Sequence, residues 1–280
     1  MTFITLFETK VKKTIKDYNL ISKKDKIIVA CSGGKDSTTV LYLLHKFGYK
    51  VEALTIDLLI GDWSKKNVEN LKMFCKEHKI KLHIINLRQE IGSSICYVRS
   101  NIQEKSNLGN CTICGIIKRW LINKKARVFK ADKIAIGHNL DDEAETILMN
   151  LLKGNPQLSI CMGPKTYSTE HLKFVKRVKP LYFSSNADVK KYSKLKKFPV
   201  LYEPCPCSSG VFRREIRNNL LNIEKVNKQA KLNIVKKFLK DLPQLKKNAS
   251  KNKLIYCEIC GEPSRNKVCR YCQMLKLMRS

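Results

Sequence analysis

Acidic side chains are scarce in this 280-residue sequence. Asp and Glu number 24 against 55 Lys and Arg, a formal charge of 55 − 24 = +31. Such a one-sided surface repels itself and favours a polyanionic partner, nucleic acid ahead of a membrane surface. A genomic preference for Lys codons is the alternative origin. Long apolar runs are missing: no stretch reaches the roughly 20 residues that span a bilayer, which excludes a membrane helix. Met1 to Glu8 is too short and too soon charged for a secretory signal, so a cytoplasmic location is expected. His45, His78, His83 and His171 show no ligand spacing, and there is no internal repeat. What is abundant is cysteine, with 12 residues. In a reducing compartment these point to metal or sulfur chemistry rather than disulfides. Hydrophobic residues make up 43%, a normal globular share, which excludes a disordered chain.

Periodicity organises the chain. Residues 1–22 hold an amphipathic helix (8–20). Residues 23–200 alternate strand and helix: continuous apolar runs at 26–31, 51–57, 81–87 and 133–136 read as buried parallel strands. Helical spacing occupies 37–47, 65–78, 116–130 and 142–153, with 155–180 irregular and a short basic helix at 188–197. This predicts an α/β fold, a doubly wound parallel sheet, with ligands beyond the carboxyl ends of its strands. Residues 201–250 hold a Pro-, Cys- and Ser-rich loop and helices at 213–224 and 230–242. A polar linker (246–253) leads to a cysteine module at 251–280.

Three signals carry chemistry. Ser32-Gly33-Gly34-Lys35-Asp36-Ser37 follows a buried strand and opens a helix, so backbone N–H groups, the helix N-terminus and Lys35 can converge on an anion. It is not the order of a Walker loop. Gly137-His138 to Asp142 lies between the fourth strand and its helix. Asp142 with Glu145 suits a helix cap, and the adjacent Asp141 and Asp142 also suit Mg²⁺. The cysteines form two sets. Cys111 and Cys114, with Lys118 one turn on, are half a metal site, or a redox pair; Cys205 or Cys207 would supply a third thiolate. Cys257-x2-Cys260-x8-Cys269-x2-Cys272 supplies four thiolates at zinc-ribbon spacing.

The loop resembles the Ser-Gly-Gly-x-Asp-Ser fingerprint of PP-loop ATP pyrophosphatases (the adenine nucleotide alpha-hydrolase-like fold). With Cys-x-x-Cys-Gly-x-x-Lys-Arg at 111–119, Gly-His-Asn-x-x-Asp-Asp at 137–142 and the terminal cysteine module, the chain resembles the TtuA and NcsA group of tRNA 2-thiouridine synthetases. That resemblance implies ATP cleavage between the α- and β-phosphates, tRNA as substrate, catalytic Lys118 and Asp142, and strand-end residues Ile56 and Asp57 near adenine. It implies a 4Fe-4S cluster on Cys111, Cys114 and a distant cysteine. Counting back from Phe212-Arg213 favours Cys205 over Cys207. Sulfur would come from free sulfide or a ubiquitin-like carrier; without a cluster, Cys31 beside the loop is the next sulfur carrier. Relatives commonly carry a further zinc module before the segment that matches Phe3 onward, and its tRNA or homodimer contacts are left open. A TtcA-type tRNA 2-thiocytidine synthetase and a tRNA-binding zinc protein with a vestigial nucleotide site are the rival readings.

Overall fold

The computed structural model describes residues 1–166, 173–208, 211–247 and 255–279; most of the expected linker, and His171, fall outside them. The chain runs α1 (Phe3–Asp17), β1 (Lys26–Ala30), α2 (Lys35–Lys46), β2 (Lys50–Asp57), α3 (Gly61–Glu77) and β3 (Leu82–Asn86). Two helices follow, α4 (Leu87–Ile91) and α5 (Ile95–Gln103), then α6 (Asn110–Val128), β4 (Lys133–Ala135) and α7 (Leu140–Leu152). After a short 3₁₀ turn come β5 (Lys176–Val178), α8 (Asn186–Leu195), α9 (Val211–Val226) and α10 (Ala230–Lys247). The chain closes with β6 (Ile255–Tyr256), β7 (Pro263–Ser264) and α11 (Arg270–Arg279).

The five central strands lie in the order β3-β2-β1-β4-β5 and every pairing is parallel. Apolar side chains cover both faces of β1, which explains its uninterrupted run: Ile27, Ile28 and Val29 are fully buried. On one side Ile27 and Val29 pack with α1, α2 and α8, where Phe7 stacks on Tyr192 at 4.6 Å. The chain order reverses between β1 and β4, so a crevice opens beyond their carboxyl ends. Both the phosphate loop and the 137–142 turn leave the sheet there.

Three features depart from the sequence expectation. The region read as irregular, 155–180, contributes the edge strand β5. Helices α4 and α5 carry no long periodic pattern, yet Leu87, Ile95, Val98 and Ile102 are fully buried. Finally, the C-terminal module is no appendage on a tether. Cys257, Cys269, Cys272, Tyr271 and Met274 share one apolar cluster with Ile95, Ile113 and Ile117, and Trp120 of α6 stacks on Tyr271 at 3.8 Å.

Candidate active site

The phosphate loop is shaped by contacts only small residues permit. Gly33 takes a φ of +79°, and a Cβ there would stand 2.7 Å from Cβ and Oδ1 of Asn67 on α3. Gly34 caps α2, leaving the first N–H groups of that helix free of a side-chain cap. Ser37 Oγ accepts from the Ser32 N–H at 3.1 Å and donates to the Gly34 carbonyl at 3.1 Å, closing the loop on itself. Gly137 brings the second turn against it: a Cβ at that position would lie 2.7 Å from Ser37 N. Asn139 then donates to Asp36 Oδ1 at 3.0 Å. Lys35 turns sideways, donating to Asp36 and to Asn186 Oδ1, each at 2.7 Å.

The first turn of α7 is a capping box, with Asn139 and Asp142 exchanging side-chain to backbone hydrogen bonds. Asp142 also holds Arg213 of α9 at 3.0 Å. Burial pushes its carboxyl up, while His138 and Arg213 pull it down and nearby Asp36 raises it. Buried Glu145 is clamped by Arg213 Nε at 2.7 Å and Arg217 Nε at 2.6 Å. Buried Glu143 accepts from Lys179 at 2.6 Å and faces His138 at 3.5 Å. Asp141 is spent on Lys231 and on the Asn186 N–H. Of the four carboxylates, Asp142 alone lines the crevice.

That crevice is a cavity of about 340 Å³. The loop supplies Ser32, Asp36 and Ser37; β2 supplies Thr55 and Ile56; α6 supplies Lys118; the second turn supplies Gly137, His138 and Asp142. Asp57 is not part of its wall and instead caps its own chain, accepting the Leu59 N–H at 3.0 Å.

The cysteines approach from elsewhere. Cys111 is exposed in the first turn of α6 and Cys114 is half-buried one turn on. Leu201 forms a parallel bridge with Gly34, which ties the stretch carrying Cys205 and Cys207 to the phosphate loop. Burial pushes the Cys114 thiol up, Lys118 and Arg99 pull it down, and Cys111 and Cys205 act on it as further charges. Cys205 is also pushed up by burial and likewise feels Lys118. Lys118 therefore faces the cavity and the thiols together. Cys207 accepts from Arg99 Nη2 at 3.1 Å, and Cys96 from the same nitrogen at 3.2 Å. Arg99 is 5% exposed, has no carboxylate partner among the described residues, and leaves Nη1 without a hydrogen bond. A buried guanidinium needs an anion. Cys114 lies within electrostatic reach of Arg99, Lys118, Cys111 and Cys205, so these surroundings suit an anionic group such as a thiolate-held iron–sulfur cluster. Cys31 does not suit sulfur transfer: it is 5% exposed and burial drives its thiol up, away from the reactive thiolate.

In the C-terminal module the four sulfurs of Cys257, Cys260, Cys269 and Cys272 all lie within 4.8 Å of one another. Cys260 and Cys269 are 3.7 Å apart. A tetrahedron built on metal–sulfur bonds of about 2.3 Å has edges of about 3.8 Å, so the set fits a tetrahedral ion. The Cys269 N–H donates to Cys257 Sγ at 3.3 Å and the Cys272 N–H to Cys269 Sγ at 3.4 Å. Burial pushes the Cys257 thiol up, yet backbone donors outweigh it and hold the group at about 6.

Sequence reasoning overlooked Asn67, Arg99 and the Arg213/Arg217 clamp. The two arginines stand four apart on one helix face, a legible signal; Arg99 and Asn67 gave none.

The PP-loop domain family model matches residues 4–224. A tRNA-5-methyluridine(54) 2-sulfurtransferase of Pyrococcus horikoshii is 35% identical over 277 residues, 99% of this chain and 87% of that protein. The cytoplasmic tRNA 2-thiolation protein 1 of Drosophila melanogaster is 30% identical over 281 residues, 98% of this chain and 80% of its own. The U34-tRNA thiolase NcsA of Methanococcus maripaludis, solved with its [4Fe-4S] cluster, superposes with a TM-score of 0.82 at 29% identity, covering 98% and 87% of the two chains. With the Ser-Gly-Gly-Lys-Asp-Ser loop at the β1–β4 crevice and tRNA-thiolating relatives matched over 80% or more of their length, the chain belongs to the PP-loop family and, within it, to the tRNA 2-sulfurtransferases.

Proposed function

We propose that this chain is an ATP-dependent enzyme that converts a tRNA uridine to 2-thiouridine. The observation that carries the reading is the placement of Lys118: one side chain lines the phosphate-loop cavity and lies within electrostatic reach of Cys114 and Cys205. ATP enters the cavity with its β- and γ-phosphates on the N–H groups of residues 32–37 and its adenine toward Ile56. The uracil C2 oxygen attacks the α-phosphorus, the bond to the bridging oxygen breaks, and pyrophosphate leaves. Carbon 2 now bears AMP and is electrophilic. Sulfide adds to it, and the C2–oxygen bond breaks to release AMP.

The chain's residues serve these steps as follows. The free N–H donors at the start of α2 stabilise the leaving pyrophosphate. Lys118 compensates charge where nucleotide and sulfur meet. Asp142, fixed by Asn139 and Arg213, holds a carboxylate at the α-phosphate side of the cavity. Asp36 and Asp142 are near neighbours on the cavity wall, and oxygen ligands of that kind suit Mg²⁺. Cys111, Cys114 and Cys205 would hold the 4Fe-4S cluster, which supplies sulfide in anionic form at neutral pH. Cys257, Cys260, Cys269 and Cys272 would hold Zn²⁺. Sulfur arrives as free sulfide or on a ubiquitin-like carrier, and the setting is the cytoplasm. Both 5-methyluridine 54 and uridine 34 occur as named targets among relatives.

A pyrophosphate-release assay tests the first half. Release should require tRNA, fall at least a hundredfold in Asp142→Asn, and survive in Cys114→Ala. Release that proceeds at full rate in Asp142→Asn would remove that residue from the reaction.

A further inference from the structure

A second, smaller cavity of about 180 Å³ lies on the other side of α6, in the seam with β5 and the cysteine module. It is lined by Arg119 and Trp120 of α6, Phe174 and Arg177 around β5, and Arg270 and Tyr271 of α11. Lysine dominates this protein, but only 11 of its 55 basic residues are arginine. Codon bias toward Lys therefore cannot account for three arginines meeting in one pocket. Three arginines elsewhere are paired with carboxylates: Arg127 with Glu262, Arg213 with Asp142 and Glu145, Arg217 with Glu145. Arg119, Arg177 and Arg270 have no carboxylate partner among the described residues. Glu262 also borders the pocket, but its oxygens are taken by Arg127 and Asn123.

The three guanidinium groups instead act on each other. Burial lowers Arg177 to about 10 and Arg119 adds to that; burial lowers Arg119 and Arg270 adds to that. Among the described residues the Arg177 guanidinium meets the Arg119 carbonyl, at 3.3 Å, and the face of Phe174. In the wall, the Trp120 indole N–H is buried without an acceptor among the described residues. Converging like charges cost free energy unless an anion joins them, and guanidinium forks match phosphate oxygens two at a time. Cofactor pockets run to roughly 300–1,000 Å³, so this space is sized for an anionic group and not a whole nucleotide.

We infer that the pocket framed by Arg119, Arg177 and Arg270 is a binding site for a backbone phosphodiester of the RNA substrate. It rests on the tRNA reading and deepens it. Lys118 and Arg119 are neighbours on α6, so a phosphate anchored here grips the RNA one helix width from the cavity that takes the base. The geometry also explains why the cysteine module is docked: it contributes Arg270 and the Tyr271 platform to a site the PP-loop domain cannot complete.

The test uses the full chain and tRNA binding measured across a salt series. Arg119→Gln/Arg270→Gln changes the two arginines of the pocket that reach solvent most and spares the more buried Arg177. Its tRNA affinity at 0.15 M salt should fall on the order of tenfold. Its log–log salt slope should lose about 1, with ATP affinity unchanged. Arg119→Lys/Arg270→Lys should keep the slope but recover only part of the affinity, because an ammonium cannot fork. Wild-type affinity and slope in the Gln variant would overturn the assignment. So would a matching loss of ATP affinity, which would make the pocket part of the nucleotide site. Failure of the wild-type protein to bind tRNA would instead overturn the tRNA reading itself.

Discussion

The two cysteine sets differ in how they are assembled. Cys257, Cys260, Cys269 and Cys272 come from 16 consecutive positions, are mostly buried, and already stand within 4.8 Å with backbone N–H groups aimed at their sulfurs. Cys111, Cys114 and Cys205 come from segments about ninety residues apart, are exposed or half-buried, and come within electrostatic reach of one another where Leu201 returns to Gly34. The first set fits a metal ion and is dictated by its local chain. The second, which we propose as the reaction site, depends on the sheet's topology and lies within electrostatic reach of Lys118.

The largest effect should come from the closed set. Cys257→Ser should release its metal and, because the module shares a core with α5 and α6, destabilise the protein by several kcal/mol. Iron occupancy at Cys111 and Cys114 should fall with it. Metal analysis together with thermal melting decides this; an unchanged melting temperature would make the module an independent appendage after all.

The open set should behave in reverse. Cys111→Ala, Cys114→Ala and Cys205→Ala should each abolish binding of about four irons and leave the melting temperature of the iron-free protein nearly unchanged. Pyrophosphate release should persist. Cys207→Ala should keep most of the iron, since its sulfur is engaged by Arg99. Iron counts on anaerobically reconstituted protein check all four, and loss of iron in Cys207→Ala with retention in Cys205→Ala would exchange the two assignments.

An intermediate effect is expected at the turn that joins β4 to α7. Gly137→Ala places a Cβ 2.7 Å from Ser37 N and should part the two loops at a cost of about 1–3 kcal/mol, with ATP affinity falling at least tenfold. Calorimetric ATP titration reads this directly, and undiminished binding would show that the turns need not touch. Asp57→Ala should do least: about 1 kcal/mol from the lost Leu59 hydrogen bond, with ATP affinity retained. A large loss of ATP affinity would return Asp57 to the nucleotide site.

What was legible in the sequence follows the same division. The phosphate loop, the 137–142 turn and the terminal cysteines are signalled by short spacings, and each sits on the element its spacing implied. Strands β1 and β2 announce themselves as buried apolar runs. Helix α5 does not, because its apolar buried face spans only about two turns, at Ile95, Val98 and Ile102. Three-residue β5 is held by its neighbour β4 and not by its own pattern. Arg99, Asn67 and the arginine seam are products of tertiary approach. No local spacing relates Arg119 to Arg177 and Arg270.

The central claim is that one cavity adenylates a tRNA uridine beside the thiols that deliver sulfur. The most direct test is mass spectrometry of nuclease-digested tRNA after incubation with anaerobically reconstituted protein, ATP and sulfide. A 2-thiouridine nucleoside that appears only with ATP, and disappears in Cys114→Ala and Lys118→Ala, is the result expected. A 2-thiocytidine product, or no thionucleoside from protein that binds both iron and ATP, would contradict it.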